Sequence, residues 1–426
     1  MREPDVFLFH ARLVTPPAGP VALGVGIVPE VIEDGAIVGR QGVITDLGPT
    51  EEILARTTLA PSTLVVDAGG RAAVPGFVDP HTHLLYAGER IDEMVRRRAG
   101  VGYLEILEAG GGILDSMRSL RQASSEDLED ALVRRISRLC LYGTVAAEVK
   151  SGYGLSVDEE MRSLEIIRRA SLRTGFPVVP TLLGAHAFPP DVSREDYVEA
   201  CLKMGERAAK RGLAAFADVF CEEGVFSVEE SRRILEAART AGLRLKLHAD
   251  EIAPSGGAEL AAELGAMSAD HLTKASDEGL AAMAEAGVVA VLLPGTSFCL
   301  GAAPFLAARA RRHRLVAALA TDSNPGSSPV ESMAMISALA FHEGGFAPEE
   351  ILCMTTVNAA AAIGMGERLG SLSVGKDFSV LVLDDDDERA IVYRPGSLLT
   401  WTLFERGRRL VAGGRLTEEV ASWKTS

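Results

Sequence analysis

Two histidines separated by one residue, His81 and His83, follow directly on Asp79 and Pro80. In an extended segment residues i and i+2 project from the same side, so both imidazoles can face one ion. Taken alone, a His-x-His pair is more often structural than functional. Here His248 and Asp322 complete a set of three nitrogens and one carboxylate, which suits zinc or ferrous iron and leaves a position open for water or substrate. Glu251, three residues past His248, could take the proton of an attacking water and pass it to a ring nitrogen, the general acid–base work of C–N bond chemistry. A surface glutamate on the following loop is the alternative. His271 could hydrogen-bond the water or a developing oxyanion, and its alternative is a core histidine satisfied by its neighbours. Glu251, His271 and Asp322 are therefore the candidate catalytic residues, and His81, His83, His248 and Asp322 the candidate metal ligands.

Such residues need a scaffold that gathers distant segments. Between the flanks of the chain, apolar β-branched runs alternate with segments of helical period rich in Ala, Leu, Glu and Arg, the pattern of buried parallel strands and covering helices. Strands are predicted at Ala73–Val78, Thr144–Val149, Val178–Leu183, Ala215–Phe220, Leu243–Leu247, Met267–Ala269, Val288–Leu293 and Leu315–Ala320. Helices fit between them, among others Ser156–Thr174, Arg194–Arg211, Ser227–Thr240, Gly257–Leu264, Ser276–Ala286 and Pro329–Phe341. Eight such units predict an α/β fold, a (β/α)8 TIM barrel, in which catalytic residues collect at the C-terminal ends of the strands. Five of the eight histidines sit at those predicted ends: His81 and His83, His186, His248 and His271. Both flanks instead read as short strands broken by Gly, Pro and Asp (Val6–Phe9, Val21–Val28, Ala36–Val38, Val43–Leu47 and Thr63–Val66, then Phe378–Leu383, Leu398–Phe404 and Arg409–Ala412). The expected organisation is a small β-sandwich domain from residues 1–72 and 370–426 enclosing a barrel over 73–369.

The composition excludes several function classes. A hydrophobic fraction of 47% with 24% charged residues is that of a globular protein, and no apolar run reaches the ~20 residues of a membrane span. The N-terminus lacks a basic stretch followed by an apolar one, so no secretory signal is predicted and the cytoplasm is the expected location. Five widely spaced cysteines without a Cys-x-x-Cys pair indicate neither a disulfide framework nor a zinc knuckle. A net charge of −16 would repel phosphate backbones, which argues against nucleic acid as a partner. The acidic run Asp384 to Glu388 reads as a solvated turn. His10, His313 and His342 are given no function, and Cys221 reads as a buried small hydrophobe.

Asp79-x-His81-x-His83, the later strand-end histidines and the strand-8 aspartate resemble the amidohydrolase superfamily, whose members join this barrel to a β-sandwich made from both chain ends. Gly370-Ser-Leu-Ser-Val-Gly-Lys376 is similar to that superfamily's return into the sandwich. Within it the chain resembles the imidazolonepropionase family, on His81-Thr-His-Leu-Leu-Tyr-Ala-Gly-Glu-Arg90, Glu148-Val-Lys-Ser-Gly-Tyr-Gly154, Leu183-Gly-Ala-His-Ala187, Asp218-Val-Phe-Cys-Glu222, Leu247-His-Ala-Asp-Glu251, Ala269-Asp-His271 and Asp322-Ser-Asn-Pro-Gly-Ser-Ser328.

The resemblance implies that His81, His83, His248 and Asp322 ligate one zinc or iron ion (Zn2+ or Fe2+/Fe3+) per subunit. It implies that Arg90, Tyr153, His186 and Glu251 contact the substrate, 4-imidazolone-5-propanoate, and that Asn324, Gly326 and Ser327 line the pocket. The product would be N-formimidoyl-L-glutamate, in histidine degradation, and the enzyme a homodimer. The substrate's carboxylate tail gives Arg90 a reason to be there, as a bidentate clamp. Strand 4 ends in Phe220-Cys221-Glu222 without a lysine, so the bridging carbamylated lysine of two-metal relatives has no counterpart there, and one metal ion is expected. Two departures stand out: Ser323 replaces an expected aromatic residue beside Asp322, and Asp377-Phe378-Ser379 replaces the usual Ala-Asp. A deaminase of the same superfamily is the nearest rival, separated from this reading by Arg90, Tyr153 and His186, and a non-catalytic barrel scaffold is a second.

Overall fold

The computed structural model describes residues 4–101 and 111–423. The flanking segments form one mixed sheet of nine strands. A long first strand, β1 (Val6–Thr15), pairs antiparallel with β2 (Glu30–Arg40), and β2 with β3 (Val43–Pro49). Two short strands, β4 (Leu64–Asp67) and β5 (Ala72–Pro75), run parallel to successive halves of β1. The C-terminal strands β14 (Val380–Leu383), β15 (Thr400–Glu405), β16 (Arg408–Ala412) and β17 (Arg415–Leu416) continue antiparallel from β5. Side chains from one face of these strands, among them Leu8, Leu13, Ile37 and Phe404, meet Phe378, which lies just before β14, in a separate apolar core. Phe378, one of the departures noted above, is fully buried there and faces Phe404 at a ring distance of 5.4 Å.

Eight parallel strands follow in chain order between β5 and β14: β6 (Phe77–Asp79), β7 (Thr144–Lys150), β8 (Val178–Ala185), β9 (Phe216–Cys221), β10 (Arg244–Ala249), β11 (Ser268–His271), β12 (Val289–Leu292) and β13 (Ala317–Leu319). Helices connect them, and serines set where several begin. Ser156, Ser193, Ser227 and Ser276 each accept a hydrogen bond from the backbone three residues on, satisfying a donor the helix cannot. Ser227 and Glu230 complete a reciprocal capping box. Between β13 and β6 there is no extended ladder. The ring is closed just past their ends, where Asp322 N donates to His81 O at 3.0 Å, His83 N donates to Ser323 O at 3.0 Å, and the Thr321 hydroxyl donates to Asp79 Oδ2 at 2.6 Å. The seam of the barrel thus runs through the residues singled out for chemistry.

Two strand predictions need correction. Val21–Val28 is not a strand: Gly24 and Gly26 take positive φ (80° and 73°), which breaks the extended run, and only Ala22 bridges to Val316. The apolar stretch Ala73–Val78 is two strands, because Pro75-Gly76 breaks it. β5 belongs to the terminal sheet, β6 begins the barrel, and Gly76 between them packs so closely on Val145 that a Cβ would lie 2.3 Å from its methyl carbon.

Candidate active site

At three strand ends the backbone turns abruptly. Asp250, His271 and Asp322 have φ of 51°, 76° and 50°, a left-handed conformation that costs a side-chain-bearing residue energy and persists where the surroundings over-determine it. These turns bring His81, His83, His186, His248 and His271 into one cluster. Ring centroids lie 4.5 Å apart for His81 and His248, 5.0 Å for His83 and His186, and 5.3 Å for His248 and His271.

Within the cluster four donor atoms converge. His83 Nε2 is 3.2 Å from His81 Nε2 and 3.3 Å from His248 Nε2, while Asp322 Oδ1 is 3.4 Å from His81 Nε2 and 3.5 Å from His83 Nε2. Ligand atoms at metal distances of ~2.0–2.1 Å in a tetrahedral shell stand about 3.3 Å from one another. The opposite ring nitrogens support the same reading. His81 Nδ1 is 2.6 Å from Asp270 Oδ2 and His248 Nδ1 is 3.0 Å from Asp218 Oδ2. A proton held on His81 Nδ1 by Asp270 leaves its Nε2 as a bare lone pair, while His248 Nδ1 meets Asp218 as a close charge contact without a hydrogen bond. Lone pairs and a carboxylate oxygen facing one another at this range repel unless a cation lies among them, so the donor set fits a divalent metal. Asp322 is steadied by Thr296, whose hydroxyl donates to Oδ2 at 2.6 Å. Burial, with Lys150 next for His81 and His186 next for His83, drives both imidazoles well below their usual pKa and keeps them neutral.

Glu251 and His271 sit beside this centre. His271 Nε2 is 3.6 Å from Glu251 Oε2. The Glu251 side chain is 18% exposed at the mouth, yet packed atoms crowd its carboxyl. Burial first, and the charge of Asp322 second, push it up to about 8. A cavity of ≈ 250 Å³ opens here and continues past Thr296, Ser297, Leu293 and Phe305.

On the other side, Tyr153 lies 5.5 Å from the ring of His186, whose Nδ1 bonds Gly152 O at 3.0 Å. Arg90 reaches over Gly326, with Nε 2.9 Å from Glu93 Oε2 and Nη2 2.5 Å from Glu93 Oε1. Its Nη1 makes no hydrogen bond among the described residues. Asn324 directs its amide into its own turn, donating to Asp322 O and Ser327 Oγ and accepting from the backbone of Gly326 and Ser327. Ser323 is buried, and its carbonyl helps to close the barrel seam.

Residues 72–408 match the model of the amidohydrolase family. An imidazolonepropionase of Symbiobacterium thermophilum is 48% identical over 98% of this chain and 99% of its own, and one of Geobacillus kaustophilus is 43% identical over 91% and 92%. The chain belongs to the imidazolonepropionase family. Among solved structures, an adenosine deaminase from Xanthomonas campestris with bound zinc (TM-score 0.70, 18% identity, 100% and 99% coverage) and an atrazine chlorohydrolase from Arthrobacter aurescens complexed with zinc (TM-score 0.72, 15% identity, 99% of both chains) share the fold. As a member of the imidazolonepropionase family the chain is a hydrolase of carbon–nitrogen bonds in a cyclic amide, with a divalent metal as cofactor.

In this imidazolonepropionase-family chain the polar strand ends singled out in the sequence do come together, and behind them stand residues that the sequence did not single out. Asp218, Asp270 and Thr296 were given no role, nor was Glu93, which holds Arg90. The signal for the first two was present, since a carboxylate inside an apolar barrel strand near its C-terminal end has to be explained and can face the interior with the ligands. The three histidines set aside, His10, His313 and His342, all lie outside this cluster: His10 pairs with Asp67, His313 with Asp277, and His342 ends a helix. Cys221 is fully buried.

Proposed function

We infer that the chain opens the ring of 4-imidazolone-5-propanoate to N-formimidoyl-L-glutamate, a step in degrading histidine to glutamate. The observation that carries this is the conjunction, at one barrel mouth, of the paired approaches among His81, His83, His248 and Asp322 with Glu251 and Arg90, in a chain 48% identical to an imidazolonepropionase. His81, His83, His248 and Asp322 are the proposed ligands of a single zinc or iron ion per subunit. Such an ion, when bound, lowers the pKa of a coordinated water from ~15.7 to about 7.

The chain's own residues do the rest. Arg90, fixed by Glu93, offers Nη1 to the propionate carboxylate, and Tyr153 and His186 close that side of the pocket. Asn324 supports the pocket wall by holding the turn that carries Gly326 and Ser327. Glu251 receives a proton from the attacking water at Oε2 and returns it to the ring nitrogen as the C–N bond breaks. A carboxyl whose pKa is near the working pH can do both. His271, kept neutral chiefly by burial, can donate a hydrogen bond to the developing oxyanion. Among the described residues no helix is long and apolar enough to cross a membrane. We place the enzyme in the cytoplasm, as a homodimer acting on a small molecule.

The test is metal analysis of the purified protein alongside loss of imidazolone absorbance, with ammonia release from a panel of nucleobases as counter-assay. Ammonia from a base without loss of imidazolone would overturn the assignment in favour of a deaminase.

A further inference from the structure

Barrel interiors are normally filled by branched aliphatic side chains. Beneath the four donors this one is filled by charge. Glu148 and Lys150 on β7, Asp218 on β9, Lys246 on β10 and Asp270 on β11 are all fully buried or within 2% of it. Lys150 Nζ lies 2.7 Å from Asp218 Oδ2, 2.8 Å from Glu148 Oε2 and 3.5 Å from Asp270 Oδ2. Two of these carboxylates are the ones that face the outer nitrogens of His248 and His81. Glu148 Oε2 has no hydrogen bond, so its approach to the ammonium is a contact of charge alone. Lys246 is engaged differently, donating to Pro80 O at 2.8 Å and meeting Glu148 Oε1 at 3.1 Å.

Two features of this layer go together. Glu148 and Asp270, which with His81 form one of the groupings whose ligand atoms all fall within 4.8 Å of one another, converge with Asp218 on a single point beneath the donors, and the Lys150 ammonium stands there against all three carboxylates. The charges also balance. Among the carboxylates that touch Lys150, Lys246 or the donor cluster, Glu148, Asp218, Asp270 and Asp322 against Lys150 and Lys246 leave two negative charges, the charge of one divalent ion; Asp79, also fully buried, is tied to Thr321 at the seam instead. Burying net charge is expensive, so the layer sets the number of cations it will accept.

We propose that the Lys150 ammonium occupies the place of a second metal ion and thereby limits the centre to one. The proposal rests on the single-ion reading above. It makes Lys150 a positioning residue, since through Asp218 and Asp270 it also fixes the rings of His248 and His81.

The experiment is metal stoichiometry, by elemental analysis after stripping and equilibrium dialysis against Zn2+, on the wild-type full chain, Lys150→Met and Lys150→Arg. The expected result is one equivalent for the wild type and Lys150→Arg, and two for Lys150→Met, the second bound more weakly. One equivalent in folded Lys150→Met, or two in Lys150→Arg, would overturn the proposal, the latter because shape rather than charge would then be excluding the ion. Three unbalanced carboxylates could keep Lys150→Met from folding. In that event Zn2+ beyond the first equivalent must restore its circular dichroism, and failure to do so also overturns the proposal. Two equivalents in the wild type would instead defeat the single-ion reading itself.

Discussion

Glu251 has to satisfy opposing demands, because the group that takes a proton from water must be ionised and the group that gives it to a leaving nitrogen must not. In the metal-free chain burial, and then the charge of Asp322, lift its carboxyl to about 8, and a cation held by Asp322 would draw it back toward the neutral range where both forms are populated. Glu251→Gln keeps the size and some hydrogen bonding but cannot carry a proton, so bound metal should be unchanged while turnover falls ~10²–10⁴-fold. Steady-state rates at matched metal occupancy measure this, and near-wild-type turnover would leave His271 as the proton carrier. His248→Ala and Asp322→Ala each remove one donor of four, and should deplete metal and abolish activity together; full metal content in either variant would refute its role as ligand. At Arg90 the expectation is a split. Arg90→Ala should raise KM with metal content intact, and Arg90→Lys should recover little, because one ammonium cannot keep both Glu93 contacts and still reach the substrate. Equal affinity for an analogue lacking the propionate would remove Arg90 from recognition.

A strand end and the turn after it act as one unit in this site. The loop after Asp322 holds Arg90 from below: Arg90 N donates to Pro325 O, Arg97 Nη2 donates to Gly326 O, and a Cβ on Gly326 would lie 2.3 Å from Arg90 Nη1. Gly326→Ala should therefore displace the guanidinium and raise KM nearly as far as Arg90→Ala does, while kcat and metal content stay close to wild type. An unchanged KM would mean that Arg90 does not depend on this contact. Elements of this kind differ in how plainly the sequence announces them. Histidines at the ends of apolar runs are conspicuous because a charged or polar group there has to be explained, and they marked the mouth of the barrel. Asp218 and Asp270 were harder to see, since their purpose lies in partners on other strands, His248 and His81, that adjacency in the chain does not reveal. The split of β5 from β6 was hidden for another reason: hydrophobic period cannot tell one apolar strand from two that join different sheets, and only Pro75-Gly76 marked the break.

Across the whole molecule the terminal sheet grips the end of the barrel opposite the chemistry. Gly143, just before β7, lies so close to Leu381 of β14 that a Cβ there would come within 2.8 Å, and Asn358 ties Val21 to Ala317 at the start of β13. Arg408 of β16 makes the most polar of these contacts. It donates to the carbonyls of Thr174 and Gly175, which precede β8, and to the carboxylates of Glu405 and Glu419. With the chemistry at one end of the barrel and the attachment at the other, stability and activity should separate on mutation. Glu405 makes the separation measurable. Its side chain is 2% exposed, and burial raises its carboxyl while Arg408 opposes the rise. Arg408→Ala would leave that buried carboxylate with only Arg406 as a weaker counter-charge, and because the Arg408 side chain is itself 33% exposed the loss should fall below the ~3–5 kcal/mol of a fully buried pair, at about 1–3 kcal/mol. Because the folded-state pKa of Glu405 is raised above its unfolded value, and more so without Arg408, the deficit is full where the carboxylate is charged in both states. It shrinks as pH falls through the folded-state pKa, where protonation removes the buried charge. Urea denaturation of wild type and Arg408→Ala at neutral and mildly acidic pH reads this directly, and Glu405→Gln in the Arg408→Ala background should recover most of the loss. Turnover per folded molecule should be unchanged throughout. A fall in turnover with no fall in stability would show that the terminal sheet acts on the catalytic end of the barrel after all.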